Sequence, residues 1–100
     1  MKDDLIDRLY EIRESLKEQY NYFPYNCCYI SAETIKEQLG LELIHGFYIK
    51  DGFGYEHCWN YDPKTDTFID ITATQFDSQN PAINIQKMSY SEESYVALNK

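Results

Sequence analysis

A thiol, an imidazole and a carboxylate can together carry nucleophilic acyl chemistry, and this sequence holds each at a position suited to it. Cys27 and Cys28 stand side by side just after Phe23-Pro24. His57 is followed by Cys58 and Trp59. Asp70 interrupts the apolar run Phe68-Ile69-Asp70-Ile71. A cysteine attacks as its thiolate, and the start of a helix favours that anion through the dipole and its free N–H groups. Strands disfavour aspartate, and a buried carboxylate needs a partner. An imidazole is such a partner. The carboxylate then fixes its tautomer and turns the other ring nitrogen toward a thiol.

Each residue also has a plainer role open to it. Free cysteine behaves as a small hydrophobe, and most buried cysteines do no chemistry. A strand histidine is commonly satisfied by a neighbour. His45, beside Gly46, reads as structural or exposed. Zinc is disfavoured, because structural sites space their cysteines and here the pairs are adjacent. His57 and Cys58 would also point to opposite faces of a strand. A redox pair of Cys27 with Cys28 would need a strained disulfide between adjacent residues.

The elements that must position these groups are legible from periodicity. Residues 3–20 carry Leu5, Leu9, Ile12 and Leu16 at helical spacing, with Asp3 and Asp4 at the positive end of the dipole. Asn21 to Pro24 breaks that pattern. A second helix is expected from Cys27 to Leu39, with Cys28, Ala32, Ile35 and Leu39 on one stripe and Gly40 as its stop. Asn26 is the preferred N-cap, with Ser31 as the alternative. This phase sets Cys28 toward the core and turns Cys27 aside, so Cys28 is the preferred nucleophile and Cys27 the alternative.

Three strands should follow: Leu43–Lys50, Tyr55–Tyr61 and Thr67–Thr72. Asp51-Gly52-Phe53-Gly54 and Asp62-Pro63-Lys64-Thr65-Asp66 are the turns between them. A weaker strand is expected near Ala82–Lys87, and a short helix from Ser89 with Ser91 as its N-cap. The expected fold class is α+β, with N-terminal helices packed on a three- to four-stranded antiparallel sheet. An even connection between the second and third strands, either Pro63-Lys64 or Asp62 to Thr65, sets His57 opposite Asp70, Trp59 opposite Phe68 and Tyr55 opposite Thr72. Directly opposed side chains have Cβ atoms about 5 Å apart. An odd connection would separate His57 from Asp70 across the sheet.

Composition narrows the function classes. The 100 residues suit one domain, and 43% hydrophobic with 26% charged residues is a globular balance. The formal net charge of −8 makes nucleic acid an unfavourable partner. No apolar run is long enough to span a membrane, and the charged start does not resemble an export signal. With three cysteines, an odd number, this points to a reducing, cytoplasmic setting. Ten Tyr, five Phe and one Trp suit half-buried sheet faces and binding clefts.

Four pieces in order carry a family resemblance: FPYNCC (Phe23–Cys28), SAETIKEQLG (Ser31–Gly40), HCW (His57–Trp59) and FIDITATQF (Phe68–Phe76). The set resembles small bacterial and phage-type members of the papain/transglutaminase-like cysteine hydrolases, over about half of the chain. The resemblance implies a minimal core of that fold and a Cys28–His57–Asp70 catalytic triad. Trp59 would lie beside the triad, and Gln75 is a second candidate for the substrate cleft. It implies an acyl-enzyme made from a protein or peptide amide, and no cofactor or metal. An inactive member that binds a partner as inhibitor or adaptor is the alternative.

Overall fold

A computed structural model describes residues 2–87 and 95–98. Among these, two helices, α1 (Lys2–Gln19) and α2 (Cys28–Leu39), pack on one antiparallel sheet. Its strands are β1 (Glu42–Lys50), β2 (Phe53–Asp62), β3 (Thr67–Asp70), β4 (Asn84–Lys87) and β5 (Tyr95–Ala97). They lie in the order β4-β3-β2-β1-β5. The fold class is therefore α+β, as expected, with five strands in place of three or four. β5 has no antecedent in the sequence reading, since three residues are too few to show a period. The helix expected from Ser89 falls largely on residues outside those described.

The α1 stripe does what its spacing requires. Leu9, Ile12 and Leu16 are buried, with Leu5 packed against them, and they meet Ile35 of α2, Ile69 of β3 and Ile71 just after it. Arg13 anchors the same helix, donating from Nε to the Ile71 carbonyl at 3.2 Å. α2 ends at Gly40 in the left-handed conformation, φ 72°, which closes the helix on the Lys36 carbonyl. Its start differs from expectation. Cys27, not Asn26 or Ser31, is the N-cap, and no side chain caps it. Asn26 instead takes φ 60° at the end of the turns over 21–26, so its side chain is not placed to cap.

Two turns set the register of the sheet. Asp51 and Gly52, at φ 54° and 81°, form a two-residue hairpin that pairs Lys50 with Phe53 and Gly46 with His57. The β2–β3 connection is even, as expected, and its four residues, 63–66, lie one position further along than Asp62 to Thr65. Asp62 closes an Asx turn, accepting from the Lys64 N–H at 3.0 Å and the Thr65 hydroxyl at 3.1 Å. Asp66 then takes φ 53° and leaves the strand. The pairs are consequently Asn60 with Ile69, Tyr61 with Phe68 and Asp62 with Thr67. The parity expected from sequence holds, and the register is displaced by two residues. His57 is diagonal to Asp70, not opposite it.

The sheet has apolar contacts on both faces. Ile69 and Ile85 belong to the cluster under the helices. Ile44, Tyr48, Trp59, Phe68 and Tyr95 form a second cluster, joined by Phe76 from beyond β3. Gly46 makes this second cluster possible. A Cβ there would fall 2.8 Å from the Trp59 ring and against the Val96 carbonyl, so glycine lets β5 and Trp59 close on β1. No described helix is long and apolar enough to cross a membrane.

Candidate active site

Pairing between β2 and β3 stops at Asn60 with Ile69, and Asp70 ends the strand by its own chemistry. Its Oδ1 accepts the Thr72 N–H at 2.9 Å and the Thr72 hydroxyl at 3.1 Å, another Asx turn. Beyond this point the chain diverges from β2. The narrow space between them is lined by Cys28 and Ala32 from α2, by Cys58 and Trp59 from β2, and by Asp70 and Thr72. A thiol at the tip of α2 can therefore meet an imidazole that projects from the other face of the sheet.

His57 is 1% exposed, and its Nε2 lies 2.7 Å from Asp70 Oδ2. A diagonal pair is within reach because imidazole is long enough to bridge the offset. Nδ1 is buried with no hydrogen-bond partner among the described residues, and the neighbouring Cys28 raises the pKa of the ring. Aromatic rings hold the imidazole plane. Trp59 lies beside it at 5.9 Å and 29°, and Phe76 meets it edge-on at 4.8 Å.

The charges follow from this geometry. Burial works against a charged His57, but the Asp70 carboxylate and then Cys28 outweigh it, and its pKa is raised to about 9. Cys58, which lines the same narrow space, is the largest influence lowering the Cys28 thiol. Burial opposes it, the neighbouring His57 charge favours the thiolate, and the Cys28 pKa falls to about 4. Burial alone would push Asp70 up. The His57 charge beside it, with the Thr72 N–H and a tyrosine hydroxyl, holds it below the usual carboxylate range. These shifts favour a Cys28 thiolate beside a protonated His57 between about pH 4 and about pH 9.

The other expected residues are placed as follows. Cys27 is fully buried, and burial, then the neighbouring Cys28 charge, pushes its thiol up. Trp59 is 1% exposed, so it supports the imidazole and does not line an open cleft. Its position between the β1–β5 pairing and Phe68 explains this burial. Gln75 lies on the 3-10 turn Ala73–Gln75, half-buried, with its amide nitrogen enclosed and without a formed hydrogen bond. His45 is exposed, with Nε2 at 3.4 Å from Glu56. Among the described residues no group of three or more His, Cys, Asp or Glu side chains is arranged to hold a metal ion.

Tyr95 belongs to the site and escaped the sequence reading. Its hydroxyl donates to Asp70 Oδ2 at 2.8 Å and accepts from Asn84 Nδ2 at 3.3 Å. It ties the two edge strands across the carboxylate, and Asp70 accepts four hydrogen bonds from the described residues. A tyrosine in a three-residue strand has no periodic signal; only the curl of the sheet brings it here. Tyr95→Phe keeps the ring and removes the donor. A loss of about 1–2 kcal/mol is expected in urea unfolding, because a buried acceptor and the Asn84 donor lose a partner. An unchanged midpoint would mean that this hydrogen bond contributes nothing net.

No protein-family model, curated protein sequence or solved structure significantly matches this chain.

Proposed function

We propose that this protein is a cysteine hydrolase or acyltransferase of the papain/transglutaminase-like type, acting on a protein or peptide amide through an acyl-enzyme. The observation that supports this most strongly is the buried His57 Nε2–Asp70 Oδ2 contact of 2.7 Å, which leaves Nδ1 uncommitted on a ring that a half-buried thiol at a helix start influences. Orienting carboxylate, imidazole and nucleophile in that order are the parts an acyl-transfer site needs.

Each group has a role in the reaction. The Cys28 thiolate attacks the amide carbon, and the carbonyl π electrons move to oxygen. The first intrahelical bond of α2 runs from the Ser31 N–H to the Cys27 carbonyl at 2.9 Å. The N–H of Cys28 precedes it and is open to receive that oxyanion. On collapse, the carbon–nitrogen bond breaks and the His57 Nδ1–H protonates the leaving amine. His57, now neutral, takes a proton from water or an acceptor amine, which attacks the thioester and restores Cys28. Asp70 holds the ring and balances the imidazolium throughout. Three free cysteines suit a reducing compartment, which favours the cytoplasm. The net charge of −8 favours a substrate or partner that is not itself strongly acidic.

An adaptor or inhibitor role draws its support from exposed aromatics, among them Tyr22, Tyr25, Tyr29, Phe53 and Tyr55, which could meet a partner surface. Acylation separates the two readings. At pH 6, p-nitrophenyl acetate is expected to release nitrophenolate in a burst of about one equivalent, leaving an acetyl group on Cys28 in the peptide map. Cys28→Ala should lose the burst. No burst, or acetylation spread equally over Cys27, Cys28 and Cys58, would exclude the enzyme reading and leave the binding role.

A further inference from the structure

The catalytic sequence above does not use Cys58, although it is buried against the nucleophile. Its place is set by how α2 lies along β2. Asn60 Nδ2 donates to the Ala32 carbonyl at 2.9 Å, locking one turn of the helix to one strand position. Moving back four residues from Ala32 to Cys28 covers about 6 Å of helix. Moving back two residues from Asn60 to Cys58 covers about 6.6 Å of strand and returns to the same face. The two steps match, so Cys28 lies over Cys58 as Ala32 lies over Asn60. Both thiols line the same narrow space between α2 and the sheet, and Cys58 is 6% exposed.

We infer that Cys58 is a positioning residue for the nucleophile, its S–H donating a hydrogen bond that holds the Cys28 sulfur as thiolate on the side away from His57. This deepens the acyl-transfer reading and rests on it. His57 supplies the countercharge from one side of the sheet, and Cys58 supplies a neutral donor from the other. The division has a chemical use. A neutral donor stabilises the sulfur anion without competing for the proton that His57 must deliver to the leaving group. The proton shared by the two sulfurs stays on Cys58, whose own ionisation is pushed up by the hydrogen bond to Cys28 and then by burial. The Cys58 backbone N–H also favours the Cys28 thiolate, so the same strand position offers two donors.

The test is iodoacetamide labelling across pH, resolved by mass spectrometry to Cys28, in wild type, Cys58→Ala, Cys58→Val and Cys58→Ser. Valine fills the space without donating, and so guards against a fold failure of the alanine variant. In both non-donors the lower inflection of Cys28 alkylation is expected to rise by about one to two pH units, the size of a hydrogen bond to a charged group. In Cys58→Ser, which keeps a donor, it should stay at or below the wild-type position. The upper inflection belongs to His57 and should persist in all four proteins. If the non-donors superimpose on wild type, or if serine shifts the inflection as far as alanine does, the role of Cys58 is overturned. If wild type itself lacks a low inflection at Cys28, the thiolate reading fails and takes this one with it.

Discussion

Replacing His57 by alanine is expected to turn a two-step alkylation profile of Cys28 into a single step at higher pH. In wild type the first rise follows ionisation of Cys28 at about 4. The profile then stays level while the imidazolium faces the thiolate. A second rise comes near 9, where His57 loses its proton. The sulfur freed from its cation is then more basic, and therefore more nucleophilic. His57→Ala removes the charge, so the second step disappears. The remaining step moves up by about one to two pH units, as loss of a charge-assisted hydrogen bond requires. The position of the step is the readout, because a less acidic thiol gives a more reactive thiolate and partly masks the loss in rate. A variant that keeps both steps would show that the imidazole does not govern this sulfur. The two-step shape also separates His57 from Cys58, whose removal should move the lower step and spare the upper one.

Asp70→Ala should produce the largest loss of stability of any single change at the site. The carboxylate accepts from His57, Tyr95 and Thr72 in a fully enclosed position. Removing one partner of a buried ion pair leaves the other uncompensated, at about 3–5 kcal/mol. The stability of a typical domain is about 5–15 kcal/mol, so denaturation should begin at much lower urea. His57 would also lose the Asp70 charge, the larger of the two influences that hold its pKa above the ordinary value of 6.5, while burial still pushes it down. The upper alkylation step should then move to lower pH. Asp70→Asn is the milder comparison, keeping the shape and the Thr72 contacts but not the charge. Wild-type unfolding free energy reports the same coupling through pH. His57, raised in the fold, contributes stability in full below about 6.5 and loses it as pH climbs through about 9. Cys28, lowered in the fold, contributes above its unfolded value of about 8.5 and loses that contribution as pH falls through about 4. Together they give a maximum between about pH 6.5 and 8.5, which Asp70→Ala should flatten. An Asp70→Ala protein as stable as wild type, with an unchanged upper step, would show that the carboxylate is not coupled to His57.

Much of the scaffold could be read from residue order. The leucine and isoleucine spacing of α1, the Gly40 stop of α2 and the Asp51-Gly52 hairpin act over a few residues. Local spacing and backbone sterics are sufficient for each of them. The candidate residues Cys28, His57 and Asp70 were also visible, because each sits where its side chain is locally out of character or locally activated.

What chain order could not supply was set by contacts between distant segments. The β2–β3 register depends on whether Asp66 pairs or turns, and the Asp62 Asx turn decides this only once the strands meet. The alternation of side chains carries parity but not the absolute offset, so His57 and Asp70 could be assigned to one face but not to a diagonal. Tyr95 reaches Asp70 only because the sheet curls over Gly46, where the absence of a Cβ permits the approach. Cys28 and Cys58 line one narrow space where an Asn60 hydrogen bond ties α2 to β2. Spacing within an element is local, and the sequence by itself determined it. The meeting of imidazole and carboxylate is a property of how the elements close on one another, and only the tertiary structure decided it.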